Sequence, residues 1–167
     1  MTTRKDETIN WNTIEILLLD SDGVLTDGGV YLPETGGAEI RRFDIKDGFG
    51  ITRLLETGFP IAVISRSPST PVETRCEKLG IQHVFLAAKD KVACAEVLLG
   101  KLRIDWSKAA FMGDDVPDLP LLEKVGTSLA PRNASSEVIE KVAWISRFDG
   151  GAGAVREVCD NLFHSRA

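Results

Sequence analysis

Asp20 and Asp22 stand one residue apart at the end of an uninterrupted apolar run, Leu17-Leu18-Leu19, and Gly23 follows at once. Three more groups of chemical type lie further along: Ser65 after Ile61-Ala62-Val63-Ile64, Lys91 after Asp90, and Asp114 with Asp115 after Gly113. The hard carboxylate oxygens of Asp20 and Asp114 suit Mg²⁺, which takes few protein ligands and leaves places for water and phosphate. Ser65 and the backbone amides near Gly23 can hydrogen-bond phosphate oxygens, and Lys91 supplies a point charge for a phosphate or a nucleophile. An ionised Asp20 can attack phosphorus and form an aspartyl-phosphate. Asp22 can protonate a leaving alcohol and then deprotonate water. Residues i and i+2 of an extended segment share a face, which accounts for the spacing of two. Metal and lysine together offset the repulsion between an anionic nucleophile and an anionic substrate.

Singly, each group has a plainer reading. Ser65 fits an ordinary turn, Lys91 an exposed first helical turn, and Gly-Asp-Asp a common loop. What joins them is the element that each follows. The gap-free apolar runs predict buried parallel strands at Ile14 to Leu19, Ile61 to Ile64, His83 to Ala87, Ala109 to Met112, Ser128 to Ala130 and Ala143 to Ile145. Helices are predicted between them: Asp47 to Thr57 with Asp47 as cap, one opened by Thr70-Pro71-Val72-Glu73, and Asp90 to Leu102 with Asp90 as cap. Shorter ones follow around Leu119 to Val125 and Ser135 to Lys141, and Ala154 to Phe163 forms the last. This alternation predicts a single α/β domain over 1–167, three-layered and Rossmann-like, with a mainly parallel sheet. In such a sheet the strand ends and the following helix starts share one edge, so Asp20 and Asp114 can meet there. Residues 24–46 read as a β-hairpin insertion around Pro33-Glu34-Thr35-Gly36-Gly37, with more apolar surface than a lone hairpin can bury.

Composition narrows the function classes. Over 167 residues the net charge is −5, with both signs interspersed and no basic stripe, which argues against nucleic acid or an anionic membrane as partner. No apolar run approaches the ~20 residues of a membrane span. Residues 1–10 are polar with no signal-like core and read as a flexible tail on a cytoplasmic protein. Cys76, Cys94 and Cys159 have no metal-ligand spacing and read as reduced thiols among apolar neighbours. His83 and His164 stand alone. No P-loop occurs, and Gly150 to Gly153 does not match a dinucleotide fingerprint.

The four clusters together resemble the haloacid dehalogenase superfamily of phosphatases. Asp20-Ser21-Asp22-Gly23-Val24-Leu25-Thr26-Asp27 matches its first motif, Ser65 the second, Lys91 the third, and Gly113-Asp114-Asp115-Val116-Pro117-Asp118 the fourth. More narrowly, Lys46-Asp47-Gly48-Phe49-Gly50-Ile51, Arg75-Cys76-Glu77-Lys78-Leu79-Gly80-Ile81 and Gly150-Gly151-Ala152-Gly153-Ala154-Val155-Arg156-Glu157 resemble the 3-deoxy-D-manno-octulosonate 8-phosphate phosphatase group. The resemblance implies a domain of that superfamily's fold with a hairpin in place of a cap. It implies a Mg²⁺ enzyme in which Asp20 is nucleophile and ligand, and Asp114 a further ligand. Asp22 would be the acid/base and bind metal through its main-chain carbonyl. Ser65 and Lys91 would hold phosphate, while Asp115 and Asp118 orient Lys91 or metal-bound water. Gly23, Arg66 and Ser67 complete the expected substrate contacts. The group forms tetramers through its hairpins, with the glycine-rich C-terminal segment near a neighbour's site. A site without a cap is open to water unless another subunit covers it. A homotetramer with sites completed between subunits is therefore expected.

Two positions depart from the pattern. The octulosonate-phosphate enzymes usually carry Gly-Arg after the second-motif Ser or Thr, whereas this chain has Ser65-Arg66-Ser67. Related nonulosonate 9-phosphate enzymes carry an acidic residue where that Arg stands, and Ser67 matches neither. Ser21 replaces a usually apolar residue. The expected substrate is thus an eight-carbon sugar-acid phosphate, with a nine-carbon or other small sugar phosphate as the alternative. A non-catalytic oligomerisation module, like the domains fused to sialic-acid cytidylyltransferases, is the alternative of another class; retention of both Asp20 and Asp22 argues against it. A phosphoacceptor receiver domain would lack the second Asp.

Overall fold

In the computed structural model, the described residues are 9–37 and 39–166. Six strands, β1 (Ile16–Leu19), β2 (Ile61–Ile64), β3 (His83–Phe85), β4 (Ala109–Met112), β5 (Thr127–Ala130) and β6 (Trp144–Ile145), form one sheet. Its order is β3-β2-β1-β4-β5-β6 and every pairing is parallel. β1, β2 and β4 are buried at every position, as strands covered on both faces must be.

Side-chain alternation divides the core into two. Leu17, Leu19, Val63, Ala110 and Met112 face one way, toward Ile51 and Leu54 of α1 (Ile45–Leu55) and Val155, Val158 and Leu162 of α6 (Ala154–His164). Val72 and Cys76 of α2 (Thr70–Leu79) join that side. Ile16, Leu18, Ala62, Ile64 and Phe111 face the other way. There they meet Leu98 and Leu99 of α3 (Lys91–Leu102), Leu121 of α4 (Leu119–Leu122) and Val138 of α5 (Ser136–Ile139). Period-2 strands between helical layers give the three-layer, Rossmann-like α/β architecture.

Two helix starts differ from the sequence reading. The cap of α1 is Asp44, whose Oδ1 accepts from the amides of Lys46 at 2.6 Å and Asp47 at 3.2 Å. Asp47 instead turns into the core and accepts from Gly153 N at 3.4 Å and Arg156 N at 2.7 Å. It thereby satisfies orphan amides at the start of α6, a tertiary demand that outweighs its local capping propensity. Similarly, Thr70 is already helical, and Ser69 precedes α2 without a side-chain cap bond.

Between β1 and α1 the chain leaves the sheet and returns. Its arms meet antiparallel at Thr26–Phe43 and Tyr31–Ile40, as isolated bridges instead of a continuous ladder. Ala38 lies outside the described residues. Val30, Tyr31, Leu32 and Ile40 in these arms are exposed. Of the expected N-terminal tail only Ile9 and Asn10 are described, and Ile9 packs against the core. Among the described residues no helix is long and apolar enough to cross a membrane.

Candidate active site

The sheet order reverses direction between β1 and β4, and the crevice beyond the carboxyl ends of strands at such a point is where open α/β sheets bind ligands. Leu19 lies beside Met112 in register, so Asp20 and Gly113 leave the sheet side by side. Asp20 N donates to Met112 O at 3.0 Å, tying the first carboxylate to β4. The loop then turns tightly, with Ser21 O accepting from Leu25 N at 2.9 Å and Thr26 N at 3.0 Å. Gly23 sits at φ +82°, and a Cβ there would overlap the Asp114 carboxylate, so this approach requires glycine. From the next strand, Ser65 N donates to Phe85 O at 2.8 Å, which holds Ser65 at the same edge.

A cleft of about 430 Å³ opens there. Its lining contains every residue expected to contact metal or substrate: Asp20, Asp22, Gly23, Ser65, Arg66, Ser67, Lys91 and Asp114, together with Asp115 and Asp118. Lys91 Nζ lies 2.7 Å from Asp20 Oδ1 and 2.6 Å from Asp118 Oδ1, and its side chain is only 5% exposed. The other Asp118 oxygen accepts from Asp114 N at 3.0 Å and Asp115 N at 3.4 Å. Asp118 thus clamps Lys91 and the Gly113–Asp115 turn at once. The Asp115 carboxylate faces outward and accepts from its neighbour Val116 N at 2.8 Å, capping the short turn Val116–Asp118 without a hydrogen bond to Lys91.

The electrostatics are those of a site short of positive charge. Burial raises the Asp20 carboxyl to about 7, with Asp118 adding repulsion and Lys91 opposing it. Burial likewise raises Asp114 to about 8, followed by repulsion from Asp20, Asp118 and Asp115. Burial alone would lower the Lys91 ammonium, but Asp20 and Asp118 outweigh it and hold it above its ordinary value. Oxygens of Asp20, Asp114 and Asp118 all lie within 4.8 Å of one another. Crowded hard oxygens whose ionisation is suppressed by their own repulsion fit a divalent cation, which relieves that repulsion. The side chain of Asp22 stays outside this cluster. Its Oδ1 is buried without a hydrogen bond, and Arg41 Nη1 faces it at 3.4 Å.

Two further features border the site, the first without a sequence signal and the second expected beside a neighbouring subunit's site. Arg41 comes from the second arm of the excursion, with its side chain 6% exposed, and donates to Gly29 O and Glu39 while approaching Asp22. The other is the glycine-rich segment after β6, which packs on this chain's own Asp20–Asp27 loop. Gly151 N donates to Val24 O at 3.0 Å and Gly150 N to Asn133 Oδ1 at 2.9 Å. A Cβ on Gly150 would overlap the Gly23 carbonyl oxygen. Glu157 anchors the segment from α6 by accepting from Ser146 Oγ at 2.7 Å and Arg147 N at 2.9 Å.

A carboxylate pair after β1, a serine after β2, a lysine opening α3 and an acidic turn after β4 define a class of α/β hydrolases. The chain belongs to the haloacid dehalogenase-like hydrolases, whose family model matches residues 74–157. The 3-deoxy-D-manno-octulosonate 8-phosphate phosphatase KdsC of Escherichia coli (strain K12) is 41% identical over 149 residues, covering 89% of this chain and 79% of that protein. The corresponding crystal structure from Yersinia pestis superposes with a TM-score of 0.89 at 34% identity, over 93% of this chain and 84% of that one. The Moraxella catarrhalis phosphatase, in complex with magnesium ion, phosphate ion and a KDO molecule, gives 0.88 at 32% identity, over 93% and 88%.

Proposed function

We propose that the chain is a Mg²⁺-dependent phosphoric monoester hydrolase acting on 3-deoxy-D-manno-octulosonate 8-phosphate. The observation that carries this reading is the convergence of Asp20, Ser65, Lys91 and Asp114 on one cleft. Kinship with the octulosonate-phosphate phosphatases over most of the chain supports the substrate.

In this reading Asp20, Asp114 and the main-chain carbonyl of Asp22 hold Mg²⁺, which supplies charge neutralisation for the phosphoryl group. Lys91, 2.7 Å away, favours the ionised form of Asp20 against its burial, and the metal charge would add to that. An Asp20 oxygen attacks phosphorus, the bond to the sugar oxygen breaks, and Asp22 gives that oxygen its proton. Asp22 then takes a proton from water as the water oxygen attacks phosphorus. Inorganic phosphate leaves and the Asp20 carboxylate is restored. Ser65 and Lys91 bind the phosphate oxygens throughout. Arg66, exposed at the cleft, is the cation we assign to the sugar-acid portion, one position earlier than the family's usual arginine.

The exposed Val30, Tyr31, Leu32 and Ile40 support association of the hairpin region with further copies of the chain, as a homotetramer whose neighbours cover the open cleft. Three free thiols fit the reducing cytoplasm, where we place the protein. Phosphate release from eight- and nine-carbon sugar-acid phosphates, with Asp20→Asn as control, tests the reading. We expect preference for the eight-carbon substrate and no turnover by the variant. Preference for the nine-carbon one, or turnover surviving in Asp20→Asn, overturns it.

A further inference from the structure

The middle residue of Asp20-Ser21-Asp22 has no part in the chemistry above, yet it is fully buried and polar. Its hydroxyl lies 2.7 Å from the hydroxyl of Ser65, the residue that faces the cleft from β2. Ser65 Oγ also accepts from Ser67 N at 3.1 Å, a bond whose direction is set by the amide. A serine hydroxyl has one proton to donate and two lone pairs to accept with.

The direction of the Ser21–Ser65 bond follows from counting donors. Among the described residues Ser21 Oγ has no other hydrogen-bond partner. If Ser65 donated to Ser21, the Ser21 proton would be stranded in the core as an unpaired buried donor, which costs more than the bond gains. If Ser21 donates, both lone pairs of Ser65 are filled, by Ser21 and by Ser67 N, and the Ser65 proton has nowhere to go but the cleft. An anion there receives a charge-assisted bond from a donor already oriented.

We propose that Ser21 is a positioning residue: its hydroxyl donates to Ser65 Oγ and so commits the Ser65 proton to a phosphate oxygen in the cleft. An apolar side chain at position 21 would leave the Ser65 hydroxyl free to rotate, with one lone pair unfilled. The proposal rests on the phosphatase reading for the identity of the anion. It explains why a hydroxyl is buried beside the first carboxylate.

The test is a double-mutant cycle on Ser21→Ala and Ser65→Ala, read by calorimetric binding of inorganic phosphate in excess Mg²⁺ and by KM and kcat for the sugar-acid phosphate. Losing one oriented hydrogen bond of about 1 kcal/mol net predicts that Ser21→Ala weakens phosphate binding and raises KM by about 3–10-fold. The change in kcat is expected to be smaller. In the Ser65→Ala background the same substitution is expected to change binding by less than about 2-fold, because there is no hydroxyl left to orient. Ser21→Thr, which keeps the hydroxyl, is expected to restore binding, and melting curves report the fold of each variant. Unchanged or tighter phosphate binding by Ser21→Ala overturns the proposal. So does an equal loss in both backgrounds, which would mean a merely structural role. If the wild type binds phosphate but does not hydrolyse the sugar-acid phosphate, the substrate reading fails while the cycle still decides the role of Ser21.

Discussion

Gly150→Ala is the sharpest perturbation that the structure offers away from the reacting groups. The added Cβ would overlap the Gly23 carbonyl oxygen, lie 2.5 Å from the Gly23 carbon and lie 3.2 Å from Val24 N, all of them backbone atoms. Two carbons in van der Waals contact sit about 3.5–4.0 Å apart, so the two loops must separate by roughly 1 Å or more. Neither can yield freely. Gly150 is pinned by Asn133 and its segment by Glu157, while on the other side Gly23 has no room even for a Cβ beside the Asp114 carboxylate. A displacement of ~1 Å at a reacting centre costs about 10²-fold, and overpacking costs about 1–3 kcal/mol of stability. We therefore expect kcat/KM to fall by about 10²-fold and the melting temperature to drop, in phosphate-release and thermal-unfolding assays. Gly100→Ala serves as the matched control, since nothing lies within 4 Å of its Cβ position in α3. It is expected to be neutral or to stabilise by up to about 1 kcal/mol. Activity of Gly150→Ala within 3-fold (~0.7 kcal/mol) of wild type would refute the idea that this segment braces the nucleophile loop.

In the proposed mechanism Asp22→Asn keeps the shape but removes the proton carrier, so kcat is expected to fall by about 10²–10⁴-fold in steady-state assays while the melting temperature stays near that of wild type. Saturating Mg²⁺ is expected to stabilise the protein by about 2.7 kcal/mol at a hundred times its dissociation constant, read as a rise in melting temperature that EDTA reverses. In EDTA the buried Asp20 and Asp114, raised to about 7 and about 8, favour the folded state while protonated. Their contribution is complete only below the ordinary carboxylate value of 3.8 and is lost as pH rises from there through about 7 and about 8, so metal-free protein is expected to melt progressively lower from about pH 5 to pH 8 and to level off above. A metal-free melting temperature that climbs over that interval counts against the crowding of these carboxylates.

The parts of the site legible in the sequence are those set by a strand end. Asp20, Ser65 and Asp114 follow gap-free apolar runs, and a parallel sheet carries the ends of such runs to one edge whatever their separation along the chain. Lys91 was legible through its helix start, because Asp90 caps α3 as its type suggests. What escaped is what depends on a partner distant in sequence. Asp47 has a good local pattern for capping its own helix, but the core assigns it to the start of α6. Arg41 belongs to a stretch whose alternation is loose, and only its approach to Asp22 marks it. Gly150 and Gly151 stand out in the sequence by resemblance and are expected near a neighbouring subunit, but the backbone of this same chain against which they press is visible only in the fold.

The loop that carries Asp20 is made near the start of the chain and its glycine brace near the end, with the whole sheet between them. If that brace sets the loop's geometry, as the Gly150→Ala prediction holds, hydrolytic competence belongs to the finished fold. During synthesis the first carboxylates emerge long before the segment that fixes their geometry, so a nascent chain ending before Gly150 would carry the reacting groups without the brace that holds them. On that expectation, enzymatic activity doubles as a reporter that α6 has docked.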